Sequence, residues 1–209
     1  YEKNPTESKA LIHSIQKTPL WMGVYDQIVL NIRGKTSLFI SSFTAFGEKI
    51  RSGEVWRIVT PALLHVDLLH IFFNLLWFFI LSGQVETRVG KPKFLCLIGA
   101  IALGSNTAQY FVSGPFFMGL SGVVCGLAAF IWVRQKKAPW EGYLLHKFTL
   151  IFLASFVIGM IVLQMGLFLL QIFSNSNFSI GIANTAHLIG GIIGALFGYS
   201  NWMSYHAKK

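Results

Sequence analysis

Phe116-Phe117-Met118-Gly119-Leu120-Ser121-Gly122-Val123-Val124-Cys125-Gly126-Leu127-Ala128-Ala129-Phe130-Ile131-Trp132-Val133 has no charged residue, and its serine lies between glycines. A hydrocarbon core needs about 20 apolar residues per helix, so this run reads as a membrane span. Four more apolar runs lie around it, at roughly 66–84, 92–112, 148–173 and 180–200, with Asp67 inside the first. Short links rich in Gly, Pro, Lys, Arg or Ser separate them. Hydrophobic residues make up 54% of the 209, charged residues 12%, and the mean hydropathy is +0.58. Soluble domains are more polar than this, so the expectation is all-α: a polytopic membrane helix bundle with five evident spans.

Residues 1–63 differ in kind. Their apolar pieces, 20–32 and 37–46, are too short to span and are interrupted by Asp26, Arg33 and Lys35. They read as an N-terminal interfacial or extramembrane segment with an outer loop, leaving 64–209 as the transmembrane domain. Basic residues in short loops mark the cytoplasmic side. Arg88, Lys91 and Lys93 follow the first span, Arg134, Lys136, Lys137 and Lys147 the third, and Lys208 and Lys209 the last, whereas 113–118 and 174–179 carry no charge and face outward. That pattern accounts for the net charge of +9 without nucleic acid, for which no basic stripe with interleaved aromatics exists. Cys96 and Cys125 lie in apolar runs and predict no disulfide. The chain opens on Tyr1 rather than Met and reads as a fragment without a secretory signal.

Polar groups at membrane depth are costly and therefore mark function. His70 and Asn74, four apart, share one face of the first span; Ser121 lies in the third and His187 in the fifth, all near outer helix ends. Counted along ideal helices, Ser121 and His187 sit about 8–10 Å below the outer boundary. Gly122 and Gly126 on one span, with Gly190, Gly194 and Gly198 on the other, form small-residue strips that let these two helices approach closely. The hydroxyl then meets the imidazole, the pairing that activates a serine nucleophile. No acidic residue is placed to make it a triad. His70 and Asn74, with a backbone N–H near Ser121, suit an oxyanion hole.

Plainer roles exist for each residue alone: a membrane serine bonds its own i−4 carbonyl, and a histidine packs at the interface. A metal site of His65, His70 and His187 lacks a carboxylate or thiolate to complete it, so neither metal nor cofactor is expected. The nucleophile elbow of soluble hydrolases is excluded by Val123 at its last position and by the lack of a preceding strand.

Taken in order, Glu54-Val55-Trp56-Arg57, His65, His70-Ile71-Phe72-Phe73-Asn74, Glu86-Thr87-Arg88, Ser113-Gly114-Pro115, Gly119-Leu120-Ser121-Gly122 and Ala186-His187 followed by Gly190 and Gly194 resemble the rhomboid family of intramembrane serine proteases, in its bacterial GlpG-like type, across residues 54–200. The resemblance implies that Ser121 is the nucleophile, His187 its base, and His70 with Asn74 the oxyanion stabilisers. It implies that Trp56 and Arg57 belong to an outer loop against the membrane, that Glu86 and Arg88 hold cytoplasmic helix ends, and that Gln109 helps water reach the site. The implied partners are membrane lipids and transmembrane protein substrates, cut after a small side chain near the outer face. The implied location is the bacterial inner membrane. Two departures stand out. The family core has six spans against five here, the missing one being truncated or replaced within 20–46. Cys125 also stands where the family usually has a tyrosine stacked on the catalytic histidine. The alternative is a non-catalytic rhomboid-like protein that binds transmembrane helices.

Overall fold

Each apolar run becomes a helix, but the helices that carry Ser121 and His187 begin later than hydropathy alone places them. The computed structural model describes residues 23–32, 50–174 and 182–204. Its helices are α1 (Gly23–Ile32), α2 (Leu68–Val89), α3 (Lys91–Ser113), α4 (Ser121–Lys137), α5 (Lys147–Ser174) and α6 (Asn184–Tyr199), with short 3₁₀ turns at Val55–Ile58, Thr60–Leu63, Pro139–Glu141 and Asn201–Met203. No strand occurs among the described residues. The apolar piece 37–46 lies outside them, and of the piece 20–32 they include α1.

Asp67 is not inside the first span. It caps α2, its carboxylate accepting the His70 backbone N–H at 2.8 Å, which satisfies one of the donors that a helix start leaves free. Gly90, with φ of 82°, ends α2 and leads straight into α3, whose second residue is Pro92. Glycine is needed there because a Cβ disfavours that backbone region.

Among the described residues three helices are long and apolar enough to cross a membrane: Leu68–Val89, Lys91–Ser113 and Lys147–Phe173. The other two expected spans are shorter, with 17 residues in α4 and 16 in α6. At 1.5 Å per residue they measure about 25 Å, less than a hydrocarbon core of about 30 Å. Residues 116–120 are not helical, because Gly114 and Gly119 take φ of 81° and 128° around Pro115. Ser121 therefore opens its helix, and the depth counted along a helix from 116 does not apply.

These short helices form the centre. A Cβ at Gly190 would overlap the carbonyl oxygen of Gly122, and one at Gly194 that of Gly126; at Gly198 it would fall 2.9 Å from the carbonyl oxygen of Phe130. The contacts advance by four residues on both helices, so α4 and α6 run parallel with their starts at the same end. Around them, Leu81, Val85, Leu97, Ile101, Leu127 and Phe130 are almost fully buried. Helix α1 docks on α3, where Gly23 lies so close to the backbone of residues 112–114 that a Cβ would meet Gly114 N at 2.6 Å.

The end opposite Ser121 is closed by cations. Arg134, counted above among loop charges, is 1% exposed and forms a two-pronged ion pair with Glu141, one arm at 2.8 Å. It also donates to the carbonyls of Gly198 and Ser200. Lys137 donates to the Tyr199 carbonyl and Lys93 to that of Trp202, so the carbonyls left free at the α6 terminus find charged donors. Arg88 donates to the carbonyls of Glu141 and Gly142. The acid that ties these helix ends together is thus Glu141, and the Glu86 of the motif supplies its backbone carbonyl to Gly90. Burial first, then the Glu141 charge, pushes the Tyr143 phenol up to about 12, keeping it neutral beneath Arg88.

The glycine contact predicts an asymmetry. Gly194→Ala should destabilise the folded bundle by about 1–3 kcal/mol, the usual cost of overpacking, because the obstructing atom is backbone. Gly191→Ala, which meets nothing within 4 Å, should leave stability unchanged or slightly raised. Reversible denaturation in mixed micelles measures both.

Candidate active site

The register of α4 on α6 determines what meets at their shared end. Ser121 precedes Gly122 by one residue and His187 precedes Gly190 by three, and the Gly122–Gly190 contact brings the two side chains together. His187 Nε2 lies 2.8 Å from Ser121 Oγ. For Nε2 to take the serine proton it must be the unprotonated nitrogen, which leaves the hydrogen on Nδ1. Nδ1 is buried without a protein partner. This pair has no orienting carboxylate among the described residues, and the imidazole is held by the position of its helix.

That position is set by Gln109 of α3, which is 1% exposed. Its Oε1 accepts the Ala186 N–H at 3.0 Å and its Nε2 donates to the Ile182 carbonyl at 3.4 Å. Ala183, the residue at the N-cap of α6, has no polar side chain to offer the first turn, and Gln109 supplies the acceptor from a neighbouring helix. Its amide is thereby committed to α6, a role the motif reading did not contain.

The other two expected site residues converge on the same place. His70 and Asn74 line one cavity with Ser121 and His187. A Cβ on Gly119 would lie 2.9 Å from His70 Nε2 and 3.7 Å from Asn74 Nδ2, so both side chains face the backbone two residues before the serine. Asn74 Nδ2 is buried with no partner. The N–H groups of Ser121 and Gly122, in the first turn of α4, have no intrahelical acceptor and lie at the positive end of the helix dipole. An unused amide donor beside a helix start forms an environment suited to a developing oxygen anion.

The loop that carries Gly119 is braced from the segment before α2. Pro61 accepts the Gly119 N–H through its carbonyl at 2.9 Å, and His65 Nε2 accepts the Leu120 N–H at 3.4 Å. The His65 ring packs edge-on against His70, with centroids 5.0 Å apart. Weighed from sequence only as a metal ligand, His65 instead supports both the loop and the neighbouring imidazole. Asn106 of α3 holds the bracing segment in turn, donating to the Ile58 carbonyl at 2.8 Å. Trp56 and Arg57 lie at its start, exposed, with Arg57 paired to Glu54. Cys125 lies one turn after Ser121 and lines the cavity, where it offers a small thiol and no flat surface for the imidazole.

The cavity itself has a volume of about 710 Å³. Its long walls are apolar and come from α2, with Leu69, Phe73 and Trp77, and from α5, with Phe152, Phe156 and Met160.

Fold and site together define a polytopic helical membrane protein with a serine–histidine pair at one end of an apolar cavity between its helices. The rhomboid domain matches residues 52–204. The chain is 33% identical over 177 residues to the rhomboid protease GlpG of Enterobacter sp. (strain 638), an alignment that covers 85% of this chain and 59% of that relative. The chain belongs to the rhomboid family and is an integral membrane protein, although it spans under two thirds of that relative's length.

Gly119→Ala tests the brace. With φ of 128° and His70 in the way, the substitution should slow fluorophosphonate labelling of Ser121 about tenfold, as expected for strain on the order of 1–3 kcal/mol placed at the site. Unchanged labelling would mean that the loop does not set the geometry of the serine.

Proposed function

We propose that this chain is an intramembrane serine endopeptidase that cleaves transmembrane helices near the outer face of a bacterial inner membrane. The 2.8 Å contact between Ser121 Oγ and His187 Nε2 carries this reading. His187 removes the serine proton as Oγ attacks the scissile carbonyl carbon. The carbonyl oxygen becomes an anion, to which Asn74 Nδ2, His70 and the first N–H groups of α4 donate. When the tetrahedral intermediate collapses, the C–N bond breaks and the imidazolium gives its proton to the departing amine. A water molecule, deprotonated by His187, then attacks the acyl-enzyme and releases the second product, restoring the hydroxyl. No metal or cofactor has a place in this sequence of steps.

The apolar walls of α2 and α5 suit a hydrophobic substrate segment surrounded by lipid, and the cut bond follows a small side chain by resemblance to the family. A non-catalytic, helix-binding role accounts for such a cavity, but not for a serine hydroxyl hydrogen-bonded to an imidazole beside an unused amide donor.

Ser121→Ala and His187→Ala should abolish cleavage of a single-span reporter in proteoliposomes, and Ser121→Ala should also abolish fluorophosphonate labelling. Asn74→Ala should lower kcat about 10²–10³-fold with little change in KM, the signature of a donor used mainly in the transition state. Full cleavage by Ser121→Ala would end the peptidase reading.

A further inference from the structure

The end of α6 collects positive charge with little to balance it. The segments that meet there, 84–93, 134–147 and 198–204, carry seven lysines and arginines against two carboxylates, Glu86 and Glu141. Glu141 is committed to Arg134 deep in the protein. The other ion pair among the described residues, Arg57 with Glu54, belongs to the opposite end of the bundle. Lys93 and Lys137 therefore meet no carboxylate among these residues, although each is half-buried.

Lysines at the ends of membrane helices extend toward water when nothing holds them. These two are folded down instead. Lys93 Nζ donates to the Trp202 carbonyl at 2.6 Å and lies 5.7 Å from the centre of the Trp202 ring. Lys137 Nζ donates to the Tyr199 carbonyl and, at 3.0 Å, to Asn201 Oδ1, and it lies 4.1 Å from the centre of the Tyr199 ring. An ammonium carries three donors, so two remain on Lys93 and one on Lys137. The rings beneath them are open, Tyr199 being 70% and Trp202 51% exposed. Two cations are thus fixed on the short stretch 199–202 with charge and donors to spare.

The carbonyls at a helix end bring only partial negative charge, and a cation withdrawn from water is costly until an anion reaches it. Exposed phenol and indole rings favour the headgroup level of a bilayer, where the abundant anion is the lipid phosphate. We propose that Lys93, Lys137, Tyr199 and Trp202 form a seat for one anionic glycerophospholipid, with its phosphate on the two ammonium groups and its glycerol and upper acyl chains along the two rings. The lipid joins the start of α3 to the end of α4 across the terminus of α6, the helix that carries His187 at its other end. A zwitterionic lipid brings its own cation into the same field and is held less tightly. The seat is independent of the peptidase reading.

The full chain in a neutral detergent, titrated with phosphatidylglycerol or with phosphatidylcholine of the same acyl chains, reports bound lipid by native mass spectrometry. A lysine beside an anionic headgroup contributes about fivefold in affinity. Phosphatidylglycerol should occupy one site about tenfold more tightly than phosphatidylcholine. Lys93→Gln and Lys137→Gln should each weaken its binding about fivefold, and the double variant about 25-fold. Lys91→Gln is the control: Lys91 is exposed and, two residues before Lys93, points to the opposite side of α3, so its loss should change the affinity less than about twofold. Lys93→Arg keeps the charge and should keep the affinity, which separates lost charge from a damaged α6 terminus.

Equal binding of the two lipids by the parent chain would overturn the seat, and so would a preference for phosphatidylglycerol that survives in the double variant. A loss in Lys91→Gln as large as in Lys93→Gln would mean that diffuse surface charge suffices, and a loss in Lys93→Arg as large as in Lys93→Gln would mean that the charge is not what binds; either overturns it. Displacement of the lipid by millimolar inorganic phosphate would assign the two ammonium groups to a free anion and overturn the lipid.

Discussion

Where α4 meets α6, the carbonyl oxygens of Gly122 and Gly126 occupy space that a side chain on Gly190 or Gly194 would need. In a lipid solvent apolar surfaces gain little from hiding, and helix association depends on close van der Waals packing and on polar contacts. Removing the Cβ atoms at these positions permits that packing, and it fixes the register of the two helices along their length. Ser121 and His187 lie within one turn of the first contact, so the arrangement that holds the centre together also sets the 2.8 Å approach of hydroxyl and imidazole. Structure and chemistry share one constraint here, and a methyl group at Gly190 or Gly194 strains both.

The polar groups divide by the end of the bundle they serve. At one end Arg134, Glu141, Arg88, Lys93 and Lys137 satisfy helix carbonyls and one another, in a network whose central ion pair is almost fully buried. A buried pair of this kind is weak evidence of net stabilisation, since removing two charges from water costs about as much as their attraction returns. It does hold the 139–142 loop against the end of α6. At the other end Asp67 caps α2, and the groups around the serine are amides, hydroxyls and imidazoles. Gln109 completes the first turn of α6, Asn184 reaches α5, and His65 with the Pro61 carbonyl braces the loop before Ser121. Among these amides Asn74 differs in that its Nδ2 is buried with no partner.

Cys125 bears on how the His187 imidazole is held. Without an aromatic ring at this position the imidazole has no stacking partner there, and its Nδ1 finds no protein acceptor. What keeps His187 in place is the start of its helix, pinned by Gln109 from α3 and by Asn184 to α5. The orientation of this imidazole therefore depends on the packing of three helices more than on any group touching the ring.

The five apolar runs that become helices, the glycine strips and the four residues that line one cavity were legible in the sequence. Span length follows from bilayer thickness, and residues four apart share a helical face, both of which are local properties of the chain. Where α4 begins was not legible, because Gly119 is held by a carbonyl from residue 61 and Leu120 by an imidazole from residue 65. The composition of a run carries no trace of partners some 55 positions away. For the same reason Asp67 read as an intruder in a span when it caps one, Arg134 read as a loop charge when it is buried, and Gln109 showed no link to Ala186. The sequence by itself determined which segments are helical and which faces are small enough to touch. Only the tertiary structure decided where each helix starts and which distant group satisfies each buried polar atom, because those choices are made by hydrogen bonds that close across the fold.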